Sequence, residues 1–148
     1  MLRRLHTLTI ALVALLLIAA VTSGCGSRGP SYVDSGASYS RASLGELLNR
    51  IDITAYSSQS AADVTKLRHD ALTGLRRRGG EAAKAADLIT ATFGAETRGV
   101  PIHVEWADLD GKRALILVEA IGPSSGALTT KRLWALSESG DVLFAATR

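Results

Sequence analysis

The sequence predicts an α+β domain in which a helical hairpin packs on a four-stranded antiparallel sheet. Three observations predict it. Apolar residues between 64 and 93 recur at helical spacing, those after Val100 recur at a spacing of two, and the pairs Gly79-Gly80 and Asp110-Gly111 punctuate the two halves. Helices first and strands afterwards is the order of an α+β fold, and 148 residues leave room for one such domain.

The folded part, taken as residues 44–148, opens with a short helix over "SLGELLNRI". Ser43 and Glu46 form a capping-box pattern before Leu47, Leu48 and Ile51. Ser60 and Asp63 repeat the pattern, and Val64, Leu67, Ala71, Leu72 and Leu75 then share one helical face. Lys66 and Asp70, four apart on the opposite face, are spaced for an ion pair. A further helix fits residues 81–93, with Ala82, Ala85, Ala86, Ile89 and Phe93 on one stripe, and the glycine pair between the two long helices predicts an antiparallel hairpin.

Asp110-Gly111 lies between two β-prone runs, and a type I′ turn there needs positive φ at both central positions. The turn sets the register: Leu109 faces Lys112, Asp108 faces Arg113, Trp106 faces Leu115 and Val104 faces Leu117, which makes one face apolar. The other face, with His103 by Val118, Glu105 by Ile116 and Ala107 by Ala114, is mixed. "KRLWALSE" and "DVLFAAT" complete a meander in sequence order. This order, helices followed by a curved antiparallel sheet, is similar to the cone-shaped NTF2-like fold of several secreted or membrane-attached bacterial proteins.

Ahead of the domain, "MLRRLHT" is a short positive segment and Leu8 to Val21 gives an uncharged apolar run, followed by small residues. A membrane span needs about 20 apolar residues, so this shorter run fits a secretory signal over residues 1–24. The stretch "VTSGC" holds the only cysteine, Cys25, with Ser23 and Gly24 directly before it. Residues 1–25 resemble a bacterial lipoprotein signal peptide, with Thr22 where an apolar residue is usual. The resemblance implies cleavage before Cys25, a diacylglycerol on its thiol with fatty acyl chains such as palmitate, and a place on the extracytoplasmic face of the cell membrane. Two acyl chains give lasting attachment where one does not. Residues 25–43, Gly- and Ser-rich with few aliphatic side chains, read as the lipidated cysteine and a flexible tether, whose last 18 residues would span roughly 25 Å. "GCGSRG" spells the dinucleotide fingerprint, but no strand precedes it and no helix follows.

From Cys25 onward 15 basic residues face 14 acidic ones, so no overall basic field draws the domain to nucleic acid. One cysteine excludes an intramolecular disulfide and a cysteine-based zinc site.

Three groups of residues are candidates for chemistry. His103 and Glu105, two apart on one strand, share a face and are spaced to offer two metal or ligand contacts. Arg76, Arg77 and Arg78 end a helix, where they complement its dipole and are candidates for contact with an anionic surface. His69 reads as a solvated surface histidine, and Trp106 and Trp134 as core. No G-x-S-x-G, P-loop, H-E-x-x-H or EF-hand pattern occurs, and no cofactor is implied.

The sequence therefore leads to a lipid-anchored envelope protein, non-enzymatic, that binds an envelope protein or a small-molecule ligand. The alternatives are a small extracytoplasmic hydrolase or metal-dependent enzyme built on His103 and Glu105, and a structural assembly subunit with a broad apolar patch.

Overall fold

The computed structural model describes residues 29–94 and 98–148; the segment read as a secretory signal and Cys25 lie outside the described residues. The chain is α+β. In order it forms β1 (Ser31–Tyr39), α1 (Arg41–Arg50), a single 3-10 turn (Ala61–Asp63), α2 (Val64–Arg78), α3 (Gly80–Phe93), β2 (Val100–Leu109), β3 (Lys112–Ile121), β4 (Thr130–Ser137) and β5 (Val142–Thr147). Among the described residues no helix is long and apolar enough to cross a membrane.

The sheet departs from expectation. It has five strands in the order β1-β2-β3-β4-β5 and is mixed, because β1 runs parallel to β2 while the other pairs are antiparallel. Residues 31–43, read as tether, are β1 and the start of α1. The composition of "SYVDSGASY" hides this, since the segment gains little from apolar burial. It is held by backbone pairing to β2 and by hydroxyls that find buried acceptors on that strand. The pairing is interrupted between Asp34 and Ser38, where Gly36 takes a φ of 61° that only glycine adopts readily.

α1 also starts earlier than expected. Ser40, not Ser43, is its N-cap: the Ser43 amide donates to Ser40 Oγ at 3.3 Å, and the Ser40 amide donates to Ser43 Oγ at 2.8 Å. Serine at the third helical position thus does the work that glutamate does in the commoner box.

The remaining elements follow the sequence closely. Ser60 caps the 3-10 turn that leads into α2, its Oγ accepting from the Ala62 amide. Lys66 and Asp70 pair at 2.7 Å. The turn residues Asp110 and Gly111 have φ of 50° and 80°, and every predicted β2–β3 pairing is present.

Both faces of the sheet are covered, which accounts for the nearly continuous burial of β2 and β3. On one face, Leu72, Leu75, Ala82, Ala85, Ala86 and Ile89 of the α2–α3 hairpin meet Val104, Trp106, Leu115 and Leu117. The small side chains of α3 let it approach α2 closely. On the other face, Leu44, Leu47 and Leu48 of α1, with Tyr56 and Leu128, lie over Ile116, Val118, Leu133 and Ala135. The mixed face of the predicted hairpin is therefore interior as well.

Candidate functional site

Interior strands that carry polar side chains must supply each of them with partners, because an unpaired buried polar group costs about 1–3 kcal/mol. Two such clusters form, one on each face of the sheet.

The first contains the predicted pair. His103 and Glu105 share a face of β2, as expected, but beside β1 and only 7% and 3% exposed. Glu105 accepts from Ser35 Oγ and from the Tyr39 hydroxyl, the latter at 3.1 and 3.3 Å. His103 Nε2 lies 3.2 Å from Glu105 Oε2, and Ser31 Oγ lies 2.7 Å from His103 Nδ1. In the neutral imidazole the carboxylate fixes the proton on Nε2, which leaves Nδ1 to accept from Ser31. Burial raises the Tyr39 phenol above its ordinary pKa, and the adjacent Glu105 carboxylate raises it further. Serine, histidine and carboxylate thus stand in a hydrogen-bonded row. Among the described residues no three His, Cys, Asp or Glu side chains come together as a metal site.

The second cluster was not anticipated. Glu119 of β3 is 0% exposed and Arg68 of α2 is 4% exposed. Arg68 Nη1 donates to Glu119 Oε1 at 2.6 Å and to the Gly99 carbonyl at 2.8 Å. Glu119 Oε2 accepts from Arg132 at 2.9 and 3.2 Å and from Trp134 Nε1 at 2.8 Å, and the Arg132 guanidinium lies over the Trp134 ring. One carboxylate is thus shared by two guanidinium groups. Arg68 Nη2 is buried with no hydrogen-bond partner among the described residues. The sequence did hold a signal: Arg68 is four residues from both Val64 and Leu72, on the apolar stripe of α2, and Glu119 alternates with Leu115 and Leu117 on the buried face of β3.

Arg68 also lines a groove of about 250 Å³ between α2 and α3, together with Thr65, His69, Leu72, Arg76, Thr90 and Gly94. His69 is exposed on its rim, in agreement with a surface histidine. Trp106 is core, as expected; its Nε1 donates to the Glu81 carbonyl at 3.0 Å, while Trp134 is half-buried against Phe93.

The three consecutive arginines end α2 and are all exposed. They do not act alike. Arg76 reaches across to α3, donating to Asp87 at 2.8 Å and to Thr90 at 2.8 Å. Arg78 Nη2 donates to the Pro30 carbonyl at 3.3 Å. No ion pair among the described residues involves Arg77 or Arg78.

Comparison with family models, with curated proteins and with solved structures finds no match to this chain.

Proposed function

We propose that the protein is a lipid-anchored, extracytoplasmic binding module that takes a small ligand with an apolar body and one acidic head into the α2–α3 groove. One observation carries this reading. Arg68 lines the groove and keeps a buried donor, Nη2, without a partner among the described residues, in a cluster where two guanidinium groups share a single carboxylate. An anionic acceptor entering between α2 and α3 would satisfy the donor and balance the charge. Leu72 and the stem of Arg76 supply apolar wall beside it.

The membrane address rests on the N-terminal segment, where a charged start, an apolar run and Cys25 resemble a lipoprotein signal. Decanoate, decyl phosphate and decanol serve as probes of the groove. The two acids are expected to raise the thermal unfolding midpoint and the alcohol to leave it unchanged. The effect should vanish in Thr65→Trp, which fills the groove from an exposed position. Equal shifts for acid and alcohol, or none for any of them, contradict the reading.

The hydrolase alternative is favoured by a separate observation, the row Ser31–His103–Glu105. In that reading Ser31 Oγ attacks the carbonyl of an ester as its proton passes to His103 Nδ1, and Glu105 steadies the resulting imidazolium. The imidazolium returns the proton to the alcohol that leaves as the ester C–O bond breaks, and water then hydrolyses the acyl-serine by the same route. A fluorophosphonate probe that labels Ser31 in the native protein but not in His103→Ala supports it. Absence of the adduct leaves the row as a structural strut. The assembly-subunit alternative calls for a broad apolar patch, whereas the exposed large apolar side chains among the described residues are Val33 and Val142, one on each edge strand.

A further inference from the structure

The shortening of the tether decides which end of the molecule faces the membrane. With the domain beginning at residue 44, a flexible segment of 18 residues would let it tumble freely above the headgroups. In the structure the buried Pro30 already belongs to the domain, one residue before β1. Only residues 26–29 separate it from Cys25. At no more than about 3.6 Å per residue, the five steps from Cys25 to Pro30 reach about 18 Å when fully stretched.

Arg78 stands at that point of exit, its Nη2 donating to the Pro30 carbonyl at 3.3 Å. The carboxylates around this end are largely met by other cations: Asp87 by Arg76 at 2.8 Å, and Glu81 by Lys84 and by Arg113 at 2.7 Å. Asp34 lies nearby on β1 and is exposed. Asp70, whose pKa Arg77 helps to lower, is paired with Lys66, so that among the described residues Arg77 and Arg78 are the surplus. A surface held within about 18 Å, with a screening length of roughly 8 Å at physiological ionic strength, comes within range of side chains that themselves extend several ångströms.

We infer that the end of the domain formed by Arg77, Arg78 and the Pro30 exit is a docking surface for anionic lipid headgroups, so that the anchored protein sits in one orientation with α2 ending at the membrane. The inference rests on lipidation of Cys25 as proposed above, and adds to it an orientation the anchor alone does not impose. The lining of the α2–α3 groove then runs away from the surface, from Arg76 back to Thr65.

The test uses the full mature protein purified from its own membranes and reconstituted into vesicles of phosphatidylcholine, or of phosphatidylcholine with phosphatidylglycerol. Intact mass reports the state of Cys25, and hydrogen exchange reports contact at residues 76–81 and 30–33. Exchange there is expected to slow several-fold on the anionic vesicles only, by about fivefold for each engaged arginine. It should recover at high salt and in Arg77→Gln/Arg78→Gln, whose exposed positions leave the fold intact by circular dichroism. A diacylated Cys25 with identical exchange on both vesicle types overturns the docking and leaves the anchor standing. An unmodified Cys25 overturns both. Equal slowing by inorganic phosphate without vesicles overturns the docking in favour of a phosphate site.

Discussion

Arg68 Nη1 lies 2.6 Å from Glu119 Oε1, joining the first half of α2 to the C-terminal part of β3 across 51 positions of sequence. The pair is interior, and each partner removes from the other the cost of an isolated buried charge. Glu119→Ala leaves Arg68 and Arg132 without their shared carboxylate and is expected to lower stability by about 3–5 kcal/mol. Denaturant unfolding checks this as a lower midpoint at unchanged slope. Arg68→Met in the same background should cost much less than it does alone, because the two side chains act as a unit. Additive losses would show that the pair is not coupled.

Gly99 and Gly45 should respond to alanine with opposite signs. A Cβ at Gly99 would stand 2.6 Å from the Glu119 carboxyl carbon, inside the second cluster, whereas one at Gly45, in α1, meets nothing within 4 Å. Gly99→Ala is expected to destabilise by about 1–3 kcal/mol through overpacking. Gly45→Ala is expected to stabilise by about 0.5–1 kcal/mol through helix propensity. Thermal unfolding of the two variants beside the parent decides it.

Tyr39 reports on Glu105. Burial first, and the neighbouring carboxylate second, raise its phenol above the ordinary value of 10.0. A raised folded-state pKa means that the protonated phenol is favoured by folding. The corresponding stability is complete below pH 10 and is lost as pH rises through the folded pKa. Difference spectra between the parent and Tyr39→Phe are expected to show a tyrosine that ionises above pH 10. Glu105→Gln should bring it back toward 10. A midpoint indifferent to Glu105 would remove the carboxylate from this account.

Strand β1 makes a claim that a tether does not. Those amides of residues 32–34 that point to β2, in register with Val104–Trp106, should exchange with solvent far more slowly than those of an unstructured Gly/Ser-rich segment, while the alternate amides of this edge strand stay open to solvent. Asp34→Pro removes a donor within this stretch and is expected to destabilise the whole domain as well as its edge. Exchange at the intrinsic rate throughout 31–39 would return the segment to the tether.

What the sequence disclosed follows from where each element gets its stability. The α2–α3 hairpin and the β2–β3 turn were legible because periodicity and turn chemistry act over a few residues: the stripe from Val64 to Leu75, and the positive φ that Asp110-Gly111 accepts. β1 was not, because it is stabilised from outside by the edge of β2 and by His103 and Glu105, which lie some 70 residues away. The face of the β2–β3 hairpin that carries His103 and Glu105 reads only as mixed because nothing local announces that α1 will cover it. His103 and Glu105 were correctly placed on one face, but their partners Ser31, Ser35 and Tyr39 sat in a stretch whose composition argued against order. Arg68 and Glu119 were readable as charges on apolar stripes, a pattern that marks either a surface break or a buried pair. Only the packing of α2 on β3 distinguishes the two.

The account depends most on the address of the protein, and intact mass of the native polypeptide taken from membranes tests that address directly. It predicts a chain that starts at Cys25 and carries the added mass of a diacylglyceryl group, retained on vesicles through a high-salt wash. A chain that begins at Met1, or a free thiol at Cys25 on a protein that washes off, would contradict it.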